Sequence, residues 1–286
     1  MNSFSAVIIH WFRENGRDLP WRETKDPYAI WLSEIILQQT RIAQGWEYWE
    51  RFMKTYPKVE DLAAASEDDV LKLWQGLGYY SRARNLHTAA SQIVELGHFP
   101  DTLEGIKALK GVGDYTAAAI GSFAFDIPAA VVDGNVYRVL SRYFGIDIPI
   151  NSTQGKKEFA ALAQSLLPAS SAQQLSDTAL SPVAAYNQGM MDFGAIQCTP
   201  QSPKCLVCPL AETCEALRTG RVEELPVKNK TLKVKTRHLS YIYIRCKGST
   251  VAVRVISGKD CGNYITHQML RNCLPLSIIL FSWLRM

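Results

Sequence analysis

Four of the seven cysteines in this 286-residue chain lie within one short segment near residue 200. They follow the pattern C-x6-C-x2-C-x5-C and are Cys198, Cys205, Cys208 and Cys214. Clustered cysteines in a cytosolic chain bind metal more often than they form disulfides. Four thiolates can hold an iron-sulfur cluster or a single zinc ion, and the spacing leaves both open. The remaining cysteines show no such spacing and are expected to be ordinary thiols: Cys246, Cys261 and Cys273.

A second segment, LKGVGDYTAAAI at residues 109–120, places two glycines one residue apart between two helical patterns. Gly111 and Gly113 allow a tight hairpin whose backbone amides face outward beside a helix amino terminus, which is a natural seat for phosphate. Lys110 adds a positive charge at the same place. The glycine pattern alone also fits a plain turn between two helices.

One carboxylate is placed for partial burial at Asp133, which follows the apolar Val131 and Val132 and precedes Gly134. Asn135 could hold this carboxylate, or a ligand, through hydrogen bonds. Asp133 could equally cap the helix that starts near Asn135, and one side chain can serve as both cap and catalytic group.

A second carboxylate, Glu34, lies inside the apolar helical pattern AIWLSEIILQQT. At helical spacing its face carries Ile30, Leu37, Gln38 and Arg41, so its neighbours are mainly apolar and amide groups. Loss of solvent would raise the pKa of Glu34 and suit it to donate a proton near neutral pH. A salt-bridged or surface position is the alternative.

The elements that carry these residues are predicted to be helices from Pro27 to Phe125. Asp26 followed by Pro27 predicts a helix start, and the segment 66–69 has the spacing of a capping box. No alternating strand pattern occurs before about residue 239, so the body of the chain is predicted to be all-α.

The end of the chain differs in pattern from the body. Residues 238–245, HLSYIYIR, alternate and are rich in strand-forming residues, which predicts a strand. The basic stretch before it, residues 221–237, is predicted to be a linker. Residues 246–286 offer two short strands at most and too few residues for a core of their own, so we expect partial folding there.

The composition is that of an ordinary globular protein, with 47% hydrophobic and 20% charged residues. No apolar run reaches the roughly 20 residues of a membrane span, and the amino terminus lacks the features of a signal peptide, so a cytoplasmic protein is expected. The net charge of +4 is unevenly placed, because residues 1–220 hold 19 basic against 24 acidic side chains. Any DNA contact of this body must therefore be local.

Together these features resemble the helix-hairpin-helix DNA glycosylase superfamily with an iron-sulfur loop, and within it the MutY-type adenine DNA glycosylases. The resemblance covers residues 11–214 and rests on several separate motifs: LPWR at 19–22, DPY at 26–28, SEIILQQT at 33–40, WQGLGYY at 74–80, LKGVG at 109–113, VDGNV at 132–136 and the four cysteines. It implies a two-lobed all-α glycosylase domain over 1–220, with lobes at 28–129 and at 1–27 with 130–220. It also implies a 4Fe-4S cluster rather than zinc.

The resemblance further implies a role for each site residue. Glu34 would protonate adenine at N7 and Asp133 would stabilise the sugar cation, with Tyr115 and Asn135 orienting the sugar and Asp133. The adenine pocket would consist of Arg17, Leu19, Trp21, Arg22 and Gln188, although Trp21 could equally be a core residue. The residues that fill the vacated base stack would be Gln39, Thr40 and Tyr79. Lys204 would contact phosphate together with Lys110, Gly111 and Gly113.

One position separates subfamilies within this resemblance. Relatives similar to endonuclease III carry a lysine nucleophile where this chain has Tyr115, so we expect simple hydrolysis without strand cleavage. The expected substrate is double-stranded DNA in which adenine is mispaired with 8-oxoguanine or guanine, and the expected form is a monomer. The alternatives are a lyase-active glycosylase for oxidised pyrimidines and a non-catalytic lesion-binding protein.

The carboxyl-terminal segment departs from the family pattern. MutY-type proteins continue with a Nudix-like domain that recognises 8-oxoguanine, and residues 238–286 match at most its beginning. We therefore expect excision to persist and the preference for 8-oxoguanine over guanine opposite adenine to weaken.

Overall fold

A computed structural model describes residues 3–168, 180–229, 239–246, 249–255 and 277–283. The chain divides into two compact units, Met1–Asn229 and Lys230–Met286. The first is helical and the second contains a small sheet, and each is described by itself. The domain boundaries predicted at residues 220 and 237 stay a prediction.

The first unit contains twelve α-helices within the described ranges. They are α1 (Ser3–Asn15), α2 (Pro27–Leu37), α3 (Ile42–Thr55), α4 (Val59–Ala64), α5 (Glu67–Leu73), α6 (Ser81–Leu96), α7 (Leu103–Ala108), α8 (Asp114–Ala124), α9 (Gly134–Phe144), α10 (Thr153–Ser165), α11 (Pro182–Asp192) and α12 (Glu215–Arg218). A π-helical turn, Phe193–Gln197, continues α11 towards the cysteine segment. Short 3₁₀ turns occur at Pro20–Arg22, Cys205–Val207 and Ala211–Thr213.

Both predicted helix starts are confirmed. The Asp26 carboxylate accepts a hydrogen bond from the Tyr28 amide at 3.0 Å, with Pro27 as the first residue of α2. The Ser66 hydroxyl accepts from the Asp69 amide at 3.2 Å at the start of α5. Each cap satisfies an amide that the first helical turn leaves without a partner.

The predicted continuation of α2 through residues 38–41 is wrong. The helix ends at Leu37, so Gln38 and Arg41 do not share a helical face with Glu34, and Arg41 instead precedes α3. Part of the physical reason lies in Arg82, whose guanidinium takes the carbonyl groups at the end of α2. Those carbonyls would otherwise accept the next helical amides.

Two hydrophobic cores fill the helical unit. The larger is formed mainly by α2 to α8 and contains the fully buried side chains of Trp31, Phe52 and Trp74. The other is formed by α1, α9, α10 and α11, with Phe159 and Phe193 among its buried side chains. Helix α11 contributes neighbouring alanines to both cores. Helix α11 therefore packs against both cores.

The second unit contains an antiparallel sheet in the order β2-β1-β3, formed by β1 (Leu239–Cys246), β2 (Ser249–Val255) and β3 (Ser277–Trp283). The predicted strand at 238–245 is confirmed by β1. Ile242 of β1 pairs with Val253 on one side and Leu280 on the other. The remainder of the predicted partly folded tail, including Cys261 and Cys273, lies outside the described residues.

Across the parts of the chain that are described, no helix combines the length and the apolar character that crossing a membrane requires.

Candidate active site

Glu34 of α2 is buried and lines a cavity together with residues of α8 and α11. Only 7% of its surface is exposed. Burial raises the pKa of Glu34 from its ordinary value of 4.5 to about 7, although a hydrogen bond from Tyr115 and the charge of Arg22 oppose the rise and Asp133 adds to it. A carboxyl group with this pKa is protonated in a large fraction of molecules near neutral pH, as a general acid requires.

The predicted base pocket is assembled around this carboxyl group. All five residues assigned to it line the same cavity as Glu34: Arg17, Leu19, Trp21, Arg22 and Gln188. Trp21 is also a packing residue, with its ring 5.6 Å from that of Trp49 between centroids. The Gln188 side-chain oxygen is buried without a hydrogen-bond partner. An unpaired buried acceptor is costly, so a polar ligand in the cavity would relieve it.

Asp192, the last residue of α11, holds the two arginines of the pocket and was not predicted from the sequence. Its fully buried carboxylate accepts from Arg22 at 2.8 and 2.9 Å. It also accepts from the Arg17 amide at 2.9 Å and from the Arg17 guanidinium. Burial alone would raise the pKa of Asp192, but these hydrogen bonds outweigh burial and hold it below its ordinary value. The only sequence signal was an acidic residue at the end of an apolar helix.

Asp133 caps α9 and forms the second predicted carboxylate of the site. It accepts from the Val136 amide at 2.7 Å and from the Asn135 side-chain amide at 2.8 Å. Burial raises the pKa of Asp133, and these two donors oppose that rise because they stabilise the anion. Asp133 is thus better suited than Glu34 to be ionised at neutral pH, since Glu34 lacks backbone donors of this kind.

Tyr115, the second residue of α8, interacts with both carboxylates. Its hydroxyl hydrogen-bonds to Glu34, and it interacts electrostatically with Asp133 as well. Burial and the nearby carboxylates raise the pKa of Tyr115 well above its ordinary value. The hydroxyl therefore stays protonated and can donate hydrogen bonds, but it offers no amine nucleophile.

The glycine hairpin joins α7 to α8 as predicted. Gly111 has a φ of +81°, and a Cβ there would lie 2.8 Å from the Asn85 Cβ, so both conformation and space favour glycine. Gly113 is the residue before α8 and its surroundings are open. Lys110 is exposed beside them. The hairpin thus presents backbone groups at the amino terminus of α8, where an anion is stabilised.

The residues predicted to fill a vacated base stack lie on two loops. Gln39 is exposed with a φ of +57°, and Thr40 follows it. Tyr79 is 65% exposed with a φ of +48°. Both backbone conformations are uncommon outside glycine and occur preferentially at functional positions.

The four clustered cysteines line one cavity together with Arg142. All four are free of disulfides. Burial and the neighbouring thiolates raise the pKa of Cys208 to about 11, and a bound cationic centre would favour its ionised form. Four thiolates around one cavity fit a 4Fe-4S cluster, in which each thiolate binds a different iron.

Two buried arginines of α9 hold the cysteine loop, one of them also contacts Asn135 of the site, and both were missed from the sequence. Arg138 donates to the Cys198 carbonyl at 2.8 Å and to the Asn135 side chain at 2.9 Å. Arg142 donates to the Thr199 carbonyl at 2.7 Å and lies 3.4 Å from the Cys198 sulfur. The sequence signal that could have identified them is their spacing of four residues on one helix. Lys204, in the same loop, is exposed as a phosphate contact requires.

Comparison with known proteins agrees with this geometry. Residues 32–169 match the family described as HhH-GPD superfamily base excision DNA repair protein, and residues 198–214 match the iron-sulfur binding domain of endonuclease III. The chain is 38% identical over 237 residues to an adenine DNA glycosylase of Buchnera aphidicola, covering 81% of this chain and 65% of that protein. It is 41% identical over 240 residues to the adenine DNA glycosylase of Mus musculus, covering 79% and 44%.

A solved thermostable thymine-DNA glycosylase is similar in structure, with a TM-score of 0.67 and 32% identity. The match covers 76% of this chain and 95% of that one. The chain thus spans nearly all of this structure but about two thirds or less of the two curated relatives.

Proposed function

Because this chain belongs to the HhH-GPD superfamily of base excision DNA repair proteins, we propose that it is a monofunctional adenine DNA glycosylase. The proposed reaction is hydrolysis of the N-glycosidic bond of adenine mispaired with 8-oxoguanine or guanine in double-stranded DNA, by a monomeric protein. The observation that carries the proposal is the buried Glu34 carboxyl, which has a pKa of about 7 and lines a cavity together with the unpaired side-chain oxygen of Gln188.

The substrate must leave the base stack to reach this carboxyl. Glu34 lies inside the protein, so adenine is extruded from the duplex and enters the cavity. The unpaired Gln188 oxygen can accept a hydrogen bond from the exocyclic amine of adenine. Arg17 and Arg22, which Asp192 holds in place, line the same cavity and can donate hydrogen bonds to the base. The exposed Gln39, Thr40 and Tyr79 would occupy the space that the base leaves.

Glu34 and Asp133 then divide the chemistry. Glu34 donates its proton to N7, so that adenine departs as a neutral molecule when the bond to the sugar breaks. The electron pair of that bond goes to the base, and the sugar becomes oxocarbenium-like. The ionised Asp133 stabilises this cation, as one of two carboxylates does in glycoside hydrolysis. Glu34, now deprotonated, accepts a proton from the water that attacks the sugar carbon.

Tyr115 supports hydrolysis over lyase chemistry. Strand cleavage by the Schiff-base route needs an amine nucleophile, and Tyr115 supplies only a hydroxyl with a raised pKa. Its hydrogen bond to Glu34 instead orients the acid. Both features disfavour the alternative of a lyase-active glycosylase.

The cysteine loop binds a 4Fe-4S cluster through Cys198, Cys205, Cys208 and Cys214. The four cysteines would hold the cluster, and its binding would order the loop without adding a group to the hydrolysis. The loop carries Lys204, and we propose that Lys204, Lys110 and the amides near Gly111 and Gly113 bind phosphates. Contacts confined to these few groups are consistent with a helical domain in which acidic residues outnumber basic ones.

Incubation with an A:8-oxoguanine duplex, followed by alkali, tests the proposal. We expect abasic sites that become strand breaks only after alkali treatment, and the same outcome for an A:G duplex. Breaks before alkali would support the lyase alternative, and absence of both would support a lesion-binding protein. A T:G duplex belongs in the assay because of the thymine-DNA glycosylase similarity. Release of thymine in place of adenine would overturn the proposed substrate.

A further inference from the structure

Arg82, the second residue of α6, directs its guanidinium into the end of another helix. Its Nη1 atom lies 3.2 Å from the Ile35 carbonyl, 3.0 Å from the Ile36 carbonyl and closer still to the Gln38 carbonyl. Its Nη2 atom lies 3.4 Å from the Leu77 carbonyl. One side chain therefore bonds to the end of α2 and to the loop that precedes α6.

The electrostatic setting shows which helix Arg82 serves. A cation at the amino terminus of its own helix α6 is unfavourable, whereas a cation at the carboxyl terminus of α2 is favourable. The guanidinium also lies over two aromatic rings, 5.1 Å from the Trp74 centroid and 5.6 Å from the Tyr79 centroid. These contacts favour a role in holding α2 and the Tyr79 loop together.

The two segments that Arg82 joins are residues 38–40 and 77–79, which we call the paired loops. Each loop contains one exposed residue in the left-handed backbone region, Gln39 and Tyr79. Such conformations persist where the surroundings hold them in place. Arg82 supplies part of that restraint to both loops, through the Gln38 carbonyl and the Tyr79 ring.

We infer that Arg82 is a positioning residue that sets the spacing and conformation of the paired loops for entry into the duplex. The inference rests on the proposed function and extends it, because it assigns base extrusion to a restraint outside the base pocket. Loss of Arg82 reduces extrusion of the base, while proton donation by Glu34 to a base already in the pocket is retained.

A direct phosphate contact is the competing role for an arginine near DNA. The two Nη atoms of Arg82 already face carbonyl groups, and its Nε atom is buried without a partner. The two roles differ in salt dependence. Loss of one phosphate contact reduces the slope of log affinity against log salt by about 0.9, whereas loss of a positioning residue leaves the slope unchanged.

The test compares Arg82→Met with Arg84→Met. Arg84 lies two residues away on α6, is exposed and pairs with Glu67 at 3.0 Å, so it controls for loss of a positive charge on this helix. Extrusion is measured by the fluorescence of 2-aminopurine placed opposite 8-oxoguanine in a duplex. We expect Arg82→Met to lower the extrusion equilibrium about ten-fold or more, as loss of restraint on two strained residues implies, and Arg84→Met to leave it unchanged.

Hydrogen exchange of the DNA-free protein provides a readout that does not depend on activity. Arg82→Met should increase exchange of the amides in the paired loops, and Arg84→Met should not. Unchanged exchange and extrusion in Arg82→Met would overturn the inference, as would a reduced salt slope. If Arg82→Met does not fold, Arg82→Lys provides the same comparison, because an ammonium group cannot reach both loops as a fork does. A wild-type protein that excises no base would contradict the proposed function, and the exchange result would still decide the role of Arg82.

Discussion

Replacement of Glu34 by glutamine is expected to stabilise the folded protein at alkaline pH. The buried carboxyl has a pKa of about 7 in the folded protein against an ordinary value of 4.5. Because the pKa is higher in the folded state, the free energy of unfolding is highest below pH 4.5. It falls as the pH rises through about 7, since the buried carboxyl must then ionise. At 1.36 kcal/mol per pKa unit, the loss amounts to about 3 kcal/mol above pH 8.

Glutamine has nearly the same shape and never ionises, so Glu34→Gln removes this loss. Urea unfolding at pH 5 and pH 9 measures it. The variant should have a free energy of unfolding close to the wild type at pH 5 and about 3 kcal/mol higher at pH 9. Glu104→Gln is a matched control, because Glu104 is exposed on α7. A difference between variant and wild type that does not change with pH would refute the burial argument for Glu34.

Three further predictions follow from individual contacts. Asp192→Asn should cost about 3 kcal/mol in urea unfolding, because it leaves Arg17 and Arg22 without their buried counterion; a cost below about 1 kcal/mol would contradict the pairing. Gly194→Ala should lower the single-turnover excision rate about ten-fold or more, since its Cβ would lie 2.6 Å from the Asn135 Cβ; an unchanged rate would show that Asn135 placement is unimportant. Cys208→Ser should lose iron and the brown colour of the purified protein, whereas Cys246→Ser should keep both; retained iron in Cys208→Ser would exclude Cys208 as a ligand.

Features encoded within a short stretch of sequence were predictable. The caps at Asp26 and Ser66 depend on residues two or three positions away, and the structure has both. The burial of Glu34 followed from its apolar helical neighbours Ile30 and Leu37, which line the same cavity. The spacing of the four cysteines suggested a metal loop without deciding between iron and zinc, because both metals accept thiolates.

Contacts between distant segments were not predictable from pattern alone. Asp192 meets Arg17 across 175 residues, and nothing in either local sequence marks the other as its partner. Arg82 takes carbonyls at the end of α2 from 46 residues away, a contact that the local helical pattern past Leu37 does not reveal. In both cases tertiary contacts outweigh local helix preference. The same limit applies to β3, which pairs with β1 across about 30 intervening residues.

The central claim is that Glu34 is the acid that releases adenine. The most direct measurement is the single-turnover rate of adenine release from an A:8-oxoguanine duplex, for wild type and Glu34→Gln, between pH 5 and pH 9. The account predicts that the wild-type rate falls as the pH rises through about 7 and that Glu34→Gln is slower by about 10²-fold or more at its best pH. A Glu34→Gln variant that released adenine at the wild-type rate would contradict it.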